Sequence, residues 1–387
     1  MSKRTGLEVS LAVAEAVKLA NADMVAAYPI TPQTHIVEKL AEMVANGELK
    51  AAYINAESEH SAISLCVGSS IAGARTFTAT SAQGLALMHE ILYIASALRL
   101  PIVMATVNRA LSGPLSIWGD HSDVMGERDT GWIQLFAQNG QEAFDMTLQA
   151  FRIAEDHRVL LPVSVNMDGF TLSHVIEPVE ILEPNEVKKF IREFKPYYQL
   201  DPRKPVTIGA FATPEYYMEA KKQVEAAIFN SKPVIEEIWQ EFGNLFGRHY
   251  TAIENYHSDD AKILLLTLGG IGETAQTAID EMREQGLPVG LLKLKLYRPF
   301  PLEELRNFCK NIETLIVCER AMSPGGSGGP IGFEVRNALY NMKTKIKIHD
   351  IILGLGGRDV KVDDFKSIVQ HAMTTEPKEY EIIGVRE

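Results

Sequence analysis

The alternation of short apolar runs with helical patterns is the feature of this sequence that most restricts its fold. Over the first 170 residues, predicted helices separate five predicted strands, at 24–30, 51–54, 75–80, 101–108 and 159–166. The predicted helices span 7–20, 34–45, 58–72, 83–97 and 141–156. Strands that alternate with helices form parallel sheets covered on both faces, so the pattern predicts an α/β fold.

The same alternation returns in the second half of the chain. Predicted strands and helices follow one another there, at 262–270, 273–285, 289–297, 302–310, 314–320 and 331–340. Between the two parts, a proline-rich stretch precedes a charged helical pattern from Glu215 to Gly247. We therefore predict three parts: an α/β domain at 1–170, a connector with helices at 171–260, and a second α/β domain at 261–387.

Charge and cysteine content exclude several classes of protein. With 38 Lys and Arg against 50 Asp and Glu, the formal net charge of −12 disfavours a nucleic-acid partner, because phosphate binding requires a basic surface. No apolar run reaches the roughly 18 residues of a membrane span, so we expect no membrane partner. Cys66, Cys309 and Cys318 form no CxxC pair, which excludes a four-thiolate cluster within this chain and predicts the reducing cytoplasm.

Four unusual motifs follow predicted strands of the first domain. In open parallel sheets, ligands bind beyond the carboxyl ends of the strands. The motifs are YPITPQT (28–34), NAESEH (55–60), TSAQG (80–84) and NRALSGPLSIWGDHSD (108–123). We therefore expect a ligand-binding cleft at this edge of the first sheet.

Two of these motifs offer a hydroxyl and a carboxylate. Thr31 follows Pro29 in a proline-rich turn, which presents a hydroxyl at a strand end but also needs no ligand to form. Glu57 and Glu59 open a predicted helix behind the expected cap Asn55, where the helix dipole favours acidic side chains. Residues two apart point in different directions on a helix, so at most one of the two faces the cleft. A carboxyl group buried there is suited to proton exchange with a heterocyclic nitrogen.

The remaining motifs offer a cation and possible metal ligands. Arg109 directly follows an apolar strand, where its guanidinium can bind a carboxylate, although an arginine more often forms a surface ion pair. Asp120, His121 and Asp123 are metal-ligating types, but they lie in one loop without a helical histidine pair, so we expect hydrogen bonds within the loop. The small residues of TSAQG leave room for a close approach or simply make a tight turn.

The second domain carries two glycine-rich turns. GGIGETA (269–275) follows a strand as a dinucleotide-binding turn does, but the next strand carries Lys293 and Lys295 instead of an acidic residue for the ribose. SPGGSGGP (323–330) lacks the Gly-Lys-Ser/Thr of a Walker loop; it either cradles a phosphate or lets two chain segments approach closely. Cys318, in the middle of a strand, is predicted to be a buried apolar side chain and not a nucleophile.

Taken together, the motifs resemble a known family. YPITPQT, ESEHSA, TSAQGL, VNRALSGP and GDHSD, followed by PVTIGAF, PEYYMEA, LYRPFP and GLGGRDV, resemble the α subunit of the thiamine diphosphate-dependent 2-oxoacid:ferredoxin oxidoreductases. The resemblance covers nearly the whole chain. It implies a parallel-sheet thiamine-binding domain of the pyrimidine type, followed by a transketolase C-terminal-like α/β domain.

The resemblance also implies an activity and roles for single residues. The activity is the reversible, coenzyme A-dependent oxidative decarboxylation of a 2-oxoacid, pyruvate being favoured, with electrons passed to ferredoxin. Glu59 matches the glutamate that hydrogen-bonds the aminopyrimidine ring of the cofactor. Thr31 and Arg109 match positions that hold the substrate, and Pro29, Ser81 and Gln83 match further cofactor contacts.

The implied enzyme needs other chains. This sequence contains no Gly-Asp-Gly motif for Mg²⁺ and the diphosphate, and too few cysteines for a [4Fe-4S] cluster. The resemblance places these groups in partner β, γ and δ subunits, so that the α chain alone is inactive. Three alternatives remain: the same chemistry on branched-chain or aryl 2-oxoacids or oxalate, an NAD-dependent dehydrogenase, and a non-catalytic scaffold subunit.

Overall fold

The computed structural model describes residues 3–342 and 345–386, and its N-terminal part alternates strands with helices as predicted. The strands are β1 (Lys3–Glu8), β2 (Met24–Ala27), β3 (Ala52–Asn55), β4 (Thr76–Thr80), β5 (Ile102–Asn108), β6 (Ile133–Phe136), β7 (Val163–Asp168) and β8 (Ile176–Ile181). The helices are α1 (Val9–Ala20), α2 (Thr34–Ala45), α3 (Glu59–Ile71), α4 (Ala82–Ala97), α5 (Ser122–Gly126), α6 (Gly140–Ala154) and α7 (Pro184–Ile191).

The C-terminal part begins with a long helix and repeats the alternation. Its helices are α8 (Pro214–Phe246), α9 (Ile271–Glu284), α10 (Leu302–Phe308), α11 (Pro330–Leu339) and α12 (Val362–Thr374), with short 3₁₀ helices at Cys309–Asn311 and Leu355–Gly357. Its strands are β9 (Ile253–Tyr256), β10 (Ile263–Leu268), β11 (Val289–Leu294), β12 (Leu296–Arg298), β13 (Thr314–Glu319), β14 (Lys347–Ile352) and β15 (Glu381–Ile382). In the part of the chain that is described, no helix combines the length and the apolar composition needed to cross a bilayer.

The first sheet has seven strands in the order β12-β6-β7-β5-β4-β2-β3, and all pair in parallel except β12. Every residue of β4, β5 and β7 is buried, as in a parallel sheet covered on both faces. Because the strands are parallel, the turns after β2, β3, β4, β5 and β7 meet at one edge, which is where the four sequence motifs lie.

The second sheet has the order β15-β14-β13-β10-β11-β9 and is parallel except for β9. Its inner face shares one apolar core with α3 and α4 of the first sheet; Leu85 and Met88 belong to the same buried cluster as Leu264 and Leu266. Cys318 is fully buried in the core on the other face, as predicted, and burial raises the pKa of its thiol. The two sheets are therefore packed together through shared helices.

Several elements differ from the sequence-based prediction. Residues 3–8 form a strand that pairs antiparallel with β8, so the predicted helix at 7–20 begins only at Val9. The predicted strand at 289–297 is two strands in different sheets, since β11 joins the second sheet and β12 joins the first. The four-residue strand β6 and the five-residue helix α5 fall where a long loop was expected, because such short elements carry no readable periodicity.

The connecting region is more ordered than a linker. The charged helical pattern predicted from Glu215 to Gly247 is α8, which ends at Gly247 in the left-handed conformation, φ 73°. The second half of α8 packs on the core of the first sheet through Trp239 and Phe242, which are both buried. β9, which precedes residue 261 in the chain, pairs with β11 of the second sheet.

Candidate active site at the carboxyl ends of the first sheet

Glu59 begins α3, and its side chain is buried at the carboxyl end of β3. The N-cap of α3 is Ser58, whose Oγ accepts from the Ser61 N–H at 3.1 Å; the expectation that Asn55 caps this helix was wrong, because the chain stays extended until Ser58. Glu59 is only 6% exposed, whereas Glu57 is exposed and accepts a hydrogen bond from Ser61 Oγ at 2.7 Å. That bond lowers the pKa of Glu57. As predicted, only one of the two glutamates turns inward.

The Glu59 carboxylate lies against a glycine of the neighbouring helix. A Cβ atom at Gly84 would stand 2.6 Å from Glu59 Oε1 and 2.6 Å from Thr80 Oγ1, so only glycine permits this approach. Among the described residues, none donates a hydrogen bond to this carboxylate or forms an ion pair with it. A carboxylate that no group of its own chain satisfies is a candidate contact for a ligand.

Further buried polar atoms at the same edge also lack partners. They are Gln33 Oε1, Thr80 Oγ1, Ser81 Oγ and both amide atoms of Gln83. These residues follow β2 and β4, the two strands that come next to β3 in the sheet order. Because native proteins satisfy nearly all buried polar groups, we take these atoms as a candidate binding site for a polar ligand.

Arg109 follows β5 and reaches the turn after β2. Its Nη1 donates to the Thr31 carbonyl oxygen at 2.9 Å and its Nε to the Ser116 carbonyl oxygen at 2.8 Å, while Nη2 donates to no described residue. Burial lowers the pKa of this guanidinium, which is 7% exposed. The structure thus brings Arg109 and Thr31 together through the Thr31 backbone. The Thr31 side chain and Pro29 are exposed in the same turn.

Asp123 accepts hydrogen bonds from residues at the carboxyl ends of two strands, β4 and β5. Its carboxylate accepts from the backbone N–H groups of Ala82, Arg109 and Val124 at 2.7–3.0 Å and from the Asn108 side chain at 3.1 Å. Burial raises the pKa of Asp123 to about 6, although these four donors oppose the shift. Sequence reasoning assigned this aspartate only to hydrogen bonding within its loop. The signal that it missed is the end of β5, where backbone groups lose their strand partners and require another acceptor.

The loop that carries Arg109 is held by the second domain. His121 and Arg320 both donate to Asp168 Oδ1, at 2.9 and 2.6 Å, and Arg320 Nη2 donates to the Gly119 carbonyl oxygen at 2.5 Å. Burial alone would raise the pKa of Asp168, but the charges of Arg320 and His121 outweigh it and lower that pKa. Asp120 accepts from the Gly356 N–H at 2.9 Å. The expected hydrogen bonds of GDHSD therefore extend well beyond the loop.

Trp118 lies on the outer side of this loop. It is 51% exposed, and its ring contacts Phe170 with centroids 4.7 Å apart. Its Cβ is so close to Gly357 that a side chain there would collide with it. The turn of the GLGGRDV motif therefore supports the loop from the second domain.

At both glycine-rich turns of the second domain, backbone N–H groups donate hydrogen bonds to carboxylates of this same chain. The Gly270 N–H at the start of α9 donates to Asp168 Oδ2 at 2.6 Å, where a dinucleotide-binding protein places a pyrophosphate. In SPGGSGGP and the helix that follows it, the N–H groups of Ile331 and Gly332 donate to Glu319 at 2.9 and 2.8 Å. Of the two interpretations of SPGGSGGP, the structure supports close approach of two chain segments.

Comparison with known families identifies the class of protein that this fold and site define. A sequence model of the family described as pyruvate flavodoxin/ferredoxin oxidoreductase, thiamine diP-binding, matches residues 15–240. A second, described as pyruvate:ferredoxin oxidoreductase core domain II, matches residues 261–365. The chain belongs to the pyruvate flavodoxin/ferredoxin oxidoreductase family, which confirms the resemblance seen in the sequence.

Curated relatives of similar length match nearly the whole chain. Pyruvate synthase subunit PorA of Methanocaldococcus jannaschii is 47% identical over 97% of this chain and 96% of its own. Pyruvate synthase subunit PorA of Thermotoga maritima is 48% identical over 99% of this chain and 97% of its own. Ketoisovalerate oxidoreductase subunit VorA of Pyrococcus abyssi is 45% identical over 93% of this chain and 91% of its own.

Two solved structures share the fold. One is 2-oxoglutarate:ferredoxin oxidoreductase from Magnetococcus marinus with 2-oxoglutarate, coenzyme A and succinyl-CoA bound, at a TM-score of 0.74 and 22% identity. This chain covers 65% of that longer chain, and the match spans 95% of this one. A split-gene transketolase, solved as an inactive tetramer, matches at a TM-score of 0.56 and 12% identity over 96% of this chain. These matches confirm the predicted thiamine-enzyme architecture of two successive α/β parts.

Proposed function

We propose that this chain is the α subunit of a thiamine diphosphate-dependent 2-oxoacid:ferredoxin oxidoreductase. The complex carries out the reversible, coenzyme A-dependent oxidative decarboxylation of a 2-oxoacid to acyl-CoA and CO₂, with electrons passed to ferredoxin. Relatives named pyruvate synthase at 47–48% identity support pyruvate as the favoured substrate. The structural observation that carries the proposal is the buried Glu59 carboxylate, which has no partner in the described chain and lies against Gly84.

The residues around Glu59 fit the aminopyrimidine half of thiamine diphosphate. An aminopyrimidine offers both hydrogen-bond donors and acceptors, and the unpartnered atoms of Ser81 and Gln83 offer both types in return. When bound, the cofactor supplies the carbon nucleophile and the electron sink for decarboxylation. Glu59 would hold the aminopyrimidine ring through a hydrogen bond from its carboxyl group and would hold a proton at a ring nitrogen. Pro29, which is exposed in the turn after β2, is assigned to the wall of the same site.

Arg109 is the proposed site for the carboxylate of the 2-oxoacid. Two of its nitrogens are fixed by the carbonyl oxygens of Ser116 and Thr31, which orients the guanidinium, and Nη2 is left for the substrate. A charge-assisted hydrogen bond from a preorganised arginine both binds and orients a carboxylate. The exposed Thr31 side chain adds a hydroxyl beside it.

The chain divides this work along its length. We assign the aminopyrimidine site to residues 1–170, a connecting role to 171–260, and support of the substrate loop to 261–387. Mg²⁺ and the diphosphate end of the cofactor are assigned to a β subunit, because the sequence contains no Gly-Asp-Gly motif. The [4Fe-4S] clusters are assigned to partner subunits, β, γ and δ completing a cytoplasmic complex, because this chain has only three cysteines and all are buried.

Branched-chain oxoacids are the second candidate substrates. The observation that favours them is the ketoisovalerate oxidoreductase relative, whose 45% identity is close to that of the pyruvate synthase relatives. Steady-state kinetics of the assembled complex with pyruvate, ketoisovalerate, an aryl 2-oxoacid and oxalate separate these possibilities. We expect the highest kcat/KM with pyruvate; a higher value with ketoisovalerate would replace pyruvate in the proposal.

The decisive test of the mechanism is Glu59→Gln in the assembled complex, since glutamine keeps the size of the side chain and removes its acid–base function. We expect turnover to fall by about 10²- to 10⁴-fold, the usual contribution of a positioned acid–base group. The matched control is Glu57→Gln, two residues earlier and exposed, which should leave turnover near wild type. The assay is reduction of ferredoxin that depends on both 2-oxoacid and coenzyme A. Unchanged turnover in Glu59→Gln would support the scaffold alternative instead.

A further inference from the structure

Glu8, His35 and His174 bring three side chains of metal-ligating types together. His35 Nδ1 lies 2.6 Å from Glu8 Oε1, and the rings of His35 and His174 have centroids 4.5 Å apart, tilted by 36°. One ligand atom from each of the three residues lies within 4.8 Å of the other two. Among the described residues, no other three side chains of these types lie so close to one another.

The three residues come from separate segments that other contacts already fix. Glu8 ends β1, His35 lies in the first turn of α2, and His174 lies between β7 and β8. The segment after Glu8 is hydrogen-bonded to the segment around His174, from Val9 N to Val175 O at 3.1 Å and from Ser10 N to Ser173 O at 3.0 Å. The backbone positions of two ligands are therefore set without an ion, which reduces the entropy that binding must overcome.

We propose that Glu8, His35 and His174 form a binding site for one divalent transition-metal ion of the zinc type. Two imidazoles and one carboxylate are a known zinc ligand set, which leaves a fourth position for water. Ligand atoms of tetrahedral zinc are about 3.4 Å apart, given bonds of about 2.1 Å. Binding of the ion would therefore replace the hydrogen bond between His35 and Glu8 and bring the His174 ring closer to them. The ligand atoms would move by about 1 Å, which side-chain rotation allows.

The surroundings of His174 support this assignment. Its Nδ1 lies 2.8 Å from Ser173 Oγ, which also accepts from the Phe170 N–H at 2.9 Å, so this nitrogen is engaged and Nε2 is available as the ligand. The Phe170 ring packs against the imidazole with centroids 4.7 Å apart. Zinc-binding histidines typically have their second nitrogen held in this way, which fixes the orientation of the ring.

Charge and access also favour a cation. Glu8 forms no ion pair with a lysine or arginine among the described residues, and its hydrogen-bond partner there is His35. The side chains of His35 and Glu8 are 44% and 21% exposed, which leaves a path for an ion from solvent. The formal net charge of −12 adds a general attraction for cations.

A simple histidine–glutamate hydrogen bond is the competing explanation, and the chain supplies its own comparison. His89 Nδ1 lies 2.5 Å from Glu127 Oε2 with His89 49% exposed, but no second histidine completes that pair. If one histidine and one glutamate were enough to bind zinc, the Glu8–His35 pair and the Glu127–His89 pair would both bind it. If three ligands are needed, only the Glu8 site binds.

The test is calorimetric titration of the full chain with ZnCl₂ after removal of metal with a chelator. We expect one tight site per chain in the wild type, and a loss of affinity of at least about 100-fold in His35→Gln and in His174→Gln, since each removes a direct ligand. Ser173→Ala should weaken binding by about 10-fold through loss of the ring's support. His89→Gln should bind like the wild type.

Two further measurements keep the result interpretable. The visible spectrum of the Co²⁺-loaded chain should show the strong bands of four-coordinate geometry in the wild type and lose them in His35→Gln, whose partly exposed position should preserve folding. Zinc should raise the Tm of the wild type and of His89→Gln but not of His35→Gln. Absence of saturable binding, or equal affinity in the wild type and His35→Gln, would overturn the site. Neither outcome bears on Glu59.

Discussion

Each of the two sheets has a buried glutamate and a buried arginine at the carboxyl ends of its strands, but the two pairs differ in their hydrogen bonds. In the first sheet, Glu59 follows β3 and Arg109 follows β5; in the second sheet, Glu319 ends β13 and Arg320 follows it. All four side chains are buried. Their hydrogen-bond partners distinguish a site arranged for a ligand from one arranged for stability.

The two glutamates show the difference most clearly. Glu59 has no hydrogen-bond partner among the described residues, whereas Glu319 accepts from the Ile331 and Gly332 N–H groups at the start of α11. Burial, and then the charge of Asp350, raise the pKa of Glu319 well above its usual value. The hydrogen bonds of Glu319 stabilise the start of a helix. Glu59 receives no hydrogen bond from a described residue, so its carboxyl group is available to the proposed cofactor.

The two arginines differ in the same sense. All three nitrogens of the Arg320 guanidinium donate, to oxygens of Asp168, Gly119 and Gly354. Arg109 uses two nitrogens and keeps Nη2 free in the described chain. Arg320 therefore joins the two domains, and Arg109 retains a donor for a substrate.

Gly84→Ala is expected to have the largest effect in this comparison. The new Cβ would stand 2.6 Å from Glu59 Oε1 and force the carboxylate away, and a displacement of about 1 Å at a catalytic group costs about 100-fold in rate. Turnover of the assembled complex should therefore fall by about 100-fold in protein that is still folded, as judged by its Tm. Gly68→Ala, on the exposed face of α3 with no atom near its Cβ, is the matched control and should keep full activity. Full activity in Gly84→Ala would argue against a precise role for the Glu59 position.

Much of the first sheet was predictable because its helices and strands are long and periodic. The predicted helix at 34–45 matches α2, and the four motifs follow parallel strands of one sheet, as predicted. The spacing of the two glutamates predicted that at most one turns inward, and the family resemblance indicated Glu59. Elements that depend on distant pairing were missed: β1 exists because it pairs with β8, some 170 residues later, and no local pattern specifies that contact.

Contacts between distant segments and between the domains could not be predicted from the sequence either. The role of Asp123 depends on backbone groups of Ala82 and Arg109 that meet only in the folded sheet. The closure of GGIGETA on Asp168 requires the second domain to dock on the first, which no spacing within the motif encodes. Glycine-rich turns are therefore ambiguous until their partners are known, and the dinucleotide interpretation was natural for that reason.

In the second sheet, the corresponding glycine change should affect stability and not chemistry. A Cβ at Gly332 would collide with the Asp350 carboxylate, because α11 begins directly over it. Overpacking of this kind typically costs about 2 kcal/mol, so we expect Gly332→Ala to lower the free energy of unfolding by about that amount. Denaturant unfolding of the full chain measures this, with Gly68→Ala as control. A loss of turnover in folded Gly332→Ala without a loss of stability would contradict the division between the sheets.

Arg109→Lys tests the free guanidinium nitrogen. Lysine keeps the charge but cannot donate to Ser116, Thr31 and a substrate in one plane, so we expect KM for pyruvate to rise by about 10-fold, the equivalent of about 1.4 kcal/mol. The affinity for thiamine diphosphate, measured by calorimetry on the assembled complex, should remain within about 2-fold of wild type. Equal losses in both measurements would show that Arg109 supports the loop and does not bind the substrate.

The smallest effect is expected from the acid pair of the second sheet. Burial raises the pKa of both Glu319 and Asp350, so between the unfolded pKa near 4 and the higher folded value the folded chain binds more protons than the unfolded chain. The free energy of unfolding should therefore fall as pH rises through this window. Asp350→Asn removes one acid and its repulsion of Glu319, and should make the decrease between about pH 5 and about pH 8 smaller by about 1 kcal/mol. The raised pKa of Asp123, about 6, adds a decrease in the same direction. Asp123 is present in the wild type and in Asp350→Asn, so the difference between the pH dependences of these two proteins reports on Glu319 and Asp350 alone. An unchanged pH dependence would mean that Asp350 does not contribute to the raised pKa of Glu319.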